Sequence, residues 1–172
     1  FGVLVKKPSL FERYSAADFS PKLLERHMRA NLTASILLIQ ALHAATPDGA
    51  QAVAINLLDQ KLFNLNPDFL SYTLSKAALH TATTMLAQAL APKLRVVGIA
   101  PGITLISGDQ TEAGFAAAHQ RTPLGRSSMP EDIAATVCFA LENRAITGTT
   151  IVVDGGQHLT PLQRDVMFVA TR

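Results

Sequence analysis

Tyr72 and Lys76 stand four residues apart in the run Y-T-L-S-K, inside an apolar, alanine-rich stretch whose pattern predicts a helix. On a helix that spacing puts both side chains on one face, a turn apart. An ammonium beside a phenol favours the phenolate and draws a group that ordinarily titrates near pH ~10 toward working pH. A tyrosine so placed can hand a proton to a substrate and take it back. Alone the pair proves little, because tyrosine and lysine meet at this spacing by chance on many surface helices. The elements that would position it carry the rest of the reading.

Residues 3–5 form a short apolar run that predicts a buried strand. Ser20 and Pro21 have the types expected at a helix cap and first helical position. From there Leu23, Leu24, Met28, Leu32, Ile36, Ile39 and Leu42 recur at helical spacing, predicting one long helix that ends at the turn Thr46-Pro47-Asp48-Gly49. A second strand is expected over 52–58 (A-V-A-I-N-L-L). The helix bearing Tyr72 should follow Pro67-Asp68, and a third strand should occupy 94–100, closed by Pro101-Gly102. A short helix is expected over 112–119, another from Pro130 to Asn143, and a last strand over 151–153, ended by Asp154-Gly155-Gly156. Apolar strands alternating with helices predict a single α/β domain over 1–172, with a parallel sheet covered on both faces.

In such a sheet, ligands sit beyond the carboxyl ends of the strands. Asp59 follows the second strand, Pro101-Gly102-Ile103-Thr104 follow the third, and Lys6-Lys7-Pro8-Ser9 follow the first. Asn31 lies inside a long helix, where asparagine is a poor former. Each has a plainer reading. Asp59 alone reads as a turn cap, Asn31 as a kink or a satisfied buried amide, Phe11 as core filler, and the loop 104–123 as either a lid or ordinary surface.

Asn31, Asp59, Tyr72, Lys76 and the I-A-P-G-I-T run from Ile99, in this order, resemble the catalytic half of the short-chain dehydrogenase/reductases, and V-V-D-G-G-Q-H-L from Val152 is similar to that family's last strand and tail. The resemblance covers essentially the whole chain. It implies a Rossmann-like, doubly wound sheet of which this chain carries the C-terminal, catalytic part. By the same resemblance Tyr72 is the proton donor, Lys76 binds the nicotinamide ribose and tunes Tyr72, Asn31 holds a relay water, and Pro101, Gly102 and Ile103 lie against the nicotinamide.

Most members place a serine thirteen residues before the tyrosine; here the residue is Asp59, as in the pteridine reductases and dihydromonapterin-type reductases. Reduction of a C=N bond leaves a ring nitrogen in need of a proton, which a carboxyl group relays better than a hydroxyl. The branch resemblance also implies that Ser9 contacts the pterin or the cofactor, that Phe11 stacks on the pterin ring, and that the cofactor is NADPH (NADP). It further implies a homotetramer acting on a small pterin-like molecule.

Two departures stand against this. Lys6-Lys7-Pro8 replaces the branch's Asn-Asn-Ala, and Pro8 removes a backbone donor. The turn G-x-x-x-G-x-G that wraps a pyrophosphate appears nowhere in the chain. The N-terminal nucleotide-binding strands are therefore expected to lie in a longer polypeptide or another chain, since half a parallel sheet leaves an open edge. A reductase of a carbonyl (3-oxoacyl) substrate and a non-catalytic fragment acting as an assembly partner are the rival readings.

Composition narrows the classes. With 172 residues, 48% of them hydrophobic, the chain is large enough for a real core. A net charge of +2 without a basic stripe argues against nucleic acid. Apolar runs are too short to span a membrane. Cys138 is the lone cysteine, which suits a reducing, cytoplasmic setting, and the five histidines have no metal-ligand spacing.

Overall fold

The structure is a computed structural model that describes residues 2–6, 10, 12, 16–106 and 110–169. Four strands, β1 (Val3–Lys6), β2 (Ala52–Leu57), β3 (Leu94–Pro101) and β4 (Thr150–Val153), pair in parallel in the order β1-β2-β3-β4. Their register sets Lys6 beside Asn56, Leu57 beside Ile99 and Pro101 beside Val153. All four carboxyl ends thus share one edge.

Ser20 caps the first helix as expected, its hydroxyl accepting from the Leu23 N–H, with Pro21 in the first position of α1 (Pro21–His27). The single long helix read from the spacing is corrected here. A π-helical segment, Met28–Thr33, separates α1 from α2 (Ala34–Ala45), and the Ala34 N–H reaches back five residues to the Arg29 carbonyl. Asn31 sits inside that segment. One residue more per turn shifts every later side chain around the axis without interrupting the helix, so apolar spacing alone does not reveal it.

The other helices are α3 (Leu70–Leu90), α4 (Glu112–Gln120), α5 (Pro130–Glu142) and the short α6 (Val166–Val169). Alternation along the strands divides the core in two. Ala52, Ala54, Leu94 and Val96 pack against Ile39 and Leu42 of α2 and Leu86, Ala87 and Leu90 of α3. Val53, Ile55, Val97 and Ile99 pack against Ile133, Val137 and Ala140 of α5. The strand order advances one way throughout, yet α5 lies on the face opposite α2 and α3. The connection from β3 to β4 therefore has the opposite hand to the two before it, against the usual preference. This places α5 over the carboxyl edge of the sheet.

A second correction concerns β1. Val3 and Val5 are 48% and 43% exposed, because α5 reaches β2 and β3 but leaves their face of β1 open. Among the described residues, no strand pairs with the outer edge of β1.

Buried polar groups tie the layers together. Asn56 of β2 donates to the Thr83 hydroxyl of α3 at 3.0 Å. The buried Arg95 guanidinium donates to the carbonyls of Ala140, Leu141, Asn143 and Ile146, where the last turn of α5 has no helical donors left. Arg95→Met should strand those carbonyls and lower unfolding stability by at least ~3 kcal/mol, measured by urea denaturation. Wild-type stability in that variant would refute the capping role.

Candidate active site

Asp59 leaves the end of β2 in an extended conformation, and its two oxygens do different work. Oδ1 accepts from the Lys61 N–H at 2.8 Å, capping the short 3-10 turn Gln60–Phe63. Oδ2 accepts from the Tyr72 hydroxyl at 2.6 Å. The cap and the proton-relay geometry are thus both present in one side chain. Burial pushes the Asp59 carboxyl up. Hydrogen bonds from Tyr72 and Lys61 and the charge of Lys76 oppose that without cancelling it, and the charge of Asp165 adds to it.

Tyr72 lies in the first turn of α3, and Lys76 follows one turn later on the same face. Both are buried. The Lys76 ammonium sits 5.7 Å from the centre of the Tyr72 ring and donates to the Leu57 carbonyl at 2.6 Å. That bond ties the lysine to the end of the strand that delivers Asp59. Phe69, just before α3, is left-handed with φ 59°, a strained conformation for a large side chain. It is held by stacking on Phe168 at 5.9 Å, with the Lys61 ammonium 5.6 Å from its ring centre.

Asn31 is fully buried, and its amide donates to the Ser75 hydroxyl at 2.9 Å and to the Leu10 carbonyl, while its Oδ1 accepts from the Leu10 N–H at 3.0 Å. Ser75 donates on to the Tyr72 carbonyl at 2.7 Å. The asparagine therefore clamps the segment after β1 to the helix that carries Tyr72. The Asn31 carbonyl accepts from the Ser35 hydroxyl at 2.8 Å.

The turn after β3 is similarly fixed. Ile103 N–H donates to Gln157 Oε1 at 3.1 Å, and the Thr104 hydroxyl pairs with Ser128 at 2.7 Å. At Gly102 an added Cβ would fall 2.2 Å from Ser127 Oγ and 2.7 Å from Gln157 Oε1, so only glycine lets the turn pack this closely. Ser9 and Phe11 lie outside the described residues, as do Lys7, Pro8 and Asp109.

Two cavities meet at Asp59. The larger, about 440 Å³, is lined by Val5, Leu57, Tyr72, Lys76, Pro101, Ile133 and Val137 among others. The smaller, about 230 Å³, is lined by Gln60, Lys61, Gln110, Gln157, Asp165 and Met167 among others. Asp59, Gly102, Thr104 and Leu105 border both. Sequence reasoning brought Asp59, Tyr72, Lys76 and the Pro101-Gly102 turn to one place. It missed Lys61, Gln157, Asp165 and Ser75. Ser75, adjacent to Lys76, and Gln157, inside the V-V-D-G-G-Q-H-L run, left a local trace in the sequence. Among the described residues, no cluster of potential metal ligands is present and no helix is long and apolar enough to cross a membrane.

Comparison with known proteins supplies the family. The enoyl-(acyl carrier protein) reductase family model matches residues 3–158. An uncharacterised oxidoreductase of Methylorubrum extorquens is 31% identical over 165 residues, 90% of this chain and 64% of its own length. A dihydromonapterin reductase of Klebsiella pneumoniae is 28% identical over 138 residues, 79% of this chain and 58% of its own length. The crystal structure of FolM alternative dihydrofolate reductase 1 from Brucella canis, complexed with NADP, superposes with a TM-score of 0.90 at 40% identity, over 95% of this chain and 66% of that one. The chain belongs to the short-chain dehydrogenase/reductase family of oxidoreductases, in the division the matching model describes. It resembles the pteridine-reducing members of that family, and it spans about two thirds or less of the length of these relatives.

The Asp59 environment has a consequence for stability. Its folded-state pKa is raised, so the native state binds the proton more tightly than the unfolded chain does. The associated stability is complete below the ordinary carboxylate pKa and is lost as pH rises through the raised value. Asp59→Asn should therefore be more stable than wild type at neutral pH, with the difference shrinking in acid. Urea midpoints across a pH series would show this, and a gap that widens in acid would contradict it.

Proposed function

We propose that this chain is the catalytic part of an NADPH-dependent reductase acting on the C=N bond of a pterin or dihydropterin. The observation that carries the reading is the 2.6 Å bond between the Tyr72 hydroxyl and a partly buried Asp59 carboxyl whose pKa is raised. A ring nitrogen that becomes basic on reduction needs a proton donor of this kind. A serine at that position, as in relatives that reduce carbonyls, would stabilise an oxygen but supply no acid.

The larger cavity suits the nicotinamide riboside end of such a cofactor. Val5, Pro101, Ile133 and Val137 give it apolar walls, with Tyr72 and Lys76 beside them. Lys76 and Tyr72 would hold the ribose, and Pro101, Gly102 and Ile103 would lie against the nicotinamide. The pyrophosphate would be held by residues this chain does not contain, since it has no Gly-rich turn. When bound, nicotinamide supplies the hydride.

Tyr72 delivers the proton to the substrate nitrogen, directly or from Asp59 through a water. Asp59 replenishes it, and Lys76 steadies the phenolate as it forms. Asn31 acts as a positioning residue that fixes the start of α3 and the relay beside it. Ser9 and Phe11 would complete the substrate side. The NADP-bound Brucella structure, the Klebsiella dihydromonapterin reductase and the branch resemblance support the cofactor and the substrate class. The proposal extends to a cytoplasmic homotetramer, supported by the lone Cys138 and by exposed Leu37, Leu38, Leu74 and Met85 on α2 and α3.

In the full-length protein, Tyr72→Phe should lower kcat by about 10²- to 10⁴-fold while leaving NADPH binding, read by nicotinamide fluorescence, nearly unchanged. Turnover of 7,8-dihydropterin should fall as pH rises through the raised Asp59 pKa, and Asp59→Asn should remove that limb. Undiminished turnover in Tyr72→Phe would sink the reading.

A further inference from the structure

We propose that the smaller cavity is a subsite for a short hydroxylated side chain on the substrate, borne by the ring carbon of the reduced C=N bond, with the Asp165 carboxylate as the acceptor that selects it. This rests on the pterin reading above and deepens it.

The placement follows from where the chemistry occurs. Asp59 and Tyr72 deliver a proton to the ring nitrogen, so the adjacent carbon and its substituent must lie close to Asp59. Asp59 also lines the smaller cavity, whose walls include neither Tyr72 nor Lys76. Its volume of about 230 Å³ admits a three-carbon chain with its hydroxyls.

The lining chooses among chains of that length. Lys61 is 3% exposed, and its ammonium is committed to Asn66, to Asp165 Oδ2 at 3.0 Å and to the face of Phe69. The Asp165 side chain is 20% exposed and borders the cavity. Its Oδ2 accepts from Lys61 and its Oδ1 from the Met167 N–H at 3.2 Å, which leaves each oxygen a further lone pair. Neighbouring hydroxyls can donate to both. Gln157 keeps its N–H₂ as a donor, because its Oε1 is engaged by Ile103 and Ser127. The exposed charge is negative, so a tail ending in carboxylates meets repulsion, and a bare methyl leaves these groups without partners.

The carboxylate is also held in place. Asp165 N–H donates to Asp68 Oδ2 at 2.7 Å, and Arg164 grips both Asp68 oxygens at 2.8 and 3.1 Å. Partial burial pushes the Asp68 carboxyl up, but its bonds to Arg164 and the Asp165 N–H, with the charges of Arg164 and Lys61, outweigh this and hold it below the usual carboxylate range. A fixed acceptor discriminates better than one that must be ordered on binding.

The test is steady-state NADPH oxidation by the full-length protein with three probes: 7,8-dihydromonapterin, which carries a trihydroxypropyl chain, 6-methyl-7,8-dihydropterin and 7,8-dihydrofolate. The wild type should favour the hydroxylated probe in kcat/KM by at least about 10-fold over each of the others. Asp165→Asn should lower kcat/KM for that probe by about 10-fold relative to the methyl probe, a ratio in which any change in the proton transfer common to both cancels. Should that variant fold poorly, the neutral pair Lys61→Met with Asp165→Asn makes the same comparison. Equal preference among the probes in the wild type overturns the subsite, as does an equal loss on hydroxylated and methyl probes in the variant. A wild type that reduces none of the three overturns the pterin reading itself, and the subsite with it.

Discussion

A carboxyl group and a phenol are joined by one hydrogen bond of 2.6 Å at the carboxyl edge of the sheet. In water neither would serve, since the carboxyl would be ionised at neutral pH and the phenol would hold its proton. Burial raises the acid; the hydrogen bonds from Tyr72 and the Lys61 N–H and the charge of Lys76 oppose that without cancelling it, and the charge of Asp165 adds to it. Lys76 is held by donating to the Leu57 carbonyl, which anchors its ammonium to the strand end.

The scaffold reaches this arrangement by convergence of distant segments. β2 delivers Asp59, α3 delivers Tyr72 and Lys76, and the turn between them is only about ten residues long. That turn passes through a left-handed Phe69, which residues near the other end of the chain hold in place. Phe168 stacks on it, and Asp165 pairs with the Lys61 that lies over its opposite neighbourhood. The start of the tyrosine helix is thus set by contacts between residues roughly a hundred positions apart. On the other side, Asn31 and Ser75 join the segment after β1 to the same helix. A π-helical turn carries Asn31 at that position, and Leu32 beside it packs against the cluster that holds Leu79 of the same helix.

How much of this could be read beforehand depends on whether the signal is local. Tyr72 and Lys76 are legible because helical spacing alone makes them neighbours, and Asp59 because a strand end and a following helix start must share an edge of a parallel sheet. The strands and their order of alternation with helices are legible for the same reason. Asn31 stood out as a polar residue in a helix, but the hydrogen-bond slip beneath it has no compositional signature. Val3 and Val5 read as buried because an apolar strand looks the same whether or not a helix covers it. Lys61 and Asp165 were invisible: each looks like a surface charge, and only the fold brings together groups 104 residues apart.

The two cavities differ in kind, and Asp59 is the wall between them. One side is largely apolar, flat and bounded by helix α5, whose unusual placement over the carboxyl edge supplies Ile133 and Val137. The other is lined by amides, a carboxylate and its buried counter-ion. An apolar slot favours a ring that exchanges hydride, because water excluded there cannot compete for it. A polar recess favours what must be oriented by donors and acceptors. A carboxyl at the seam answers to both: its pKa is raised by its partial burial, and it is tied to a backbone N–H that stops it from turning away. A serine at the same place would satisfy the backbone, yet it would carry no titrating proton to pass across.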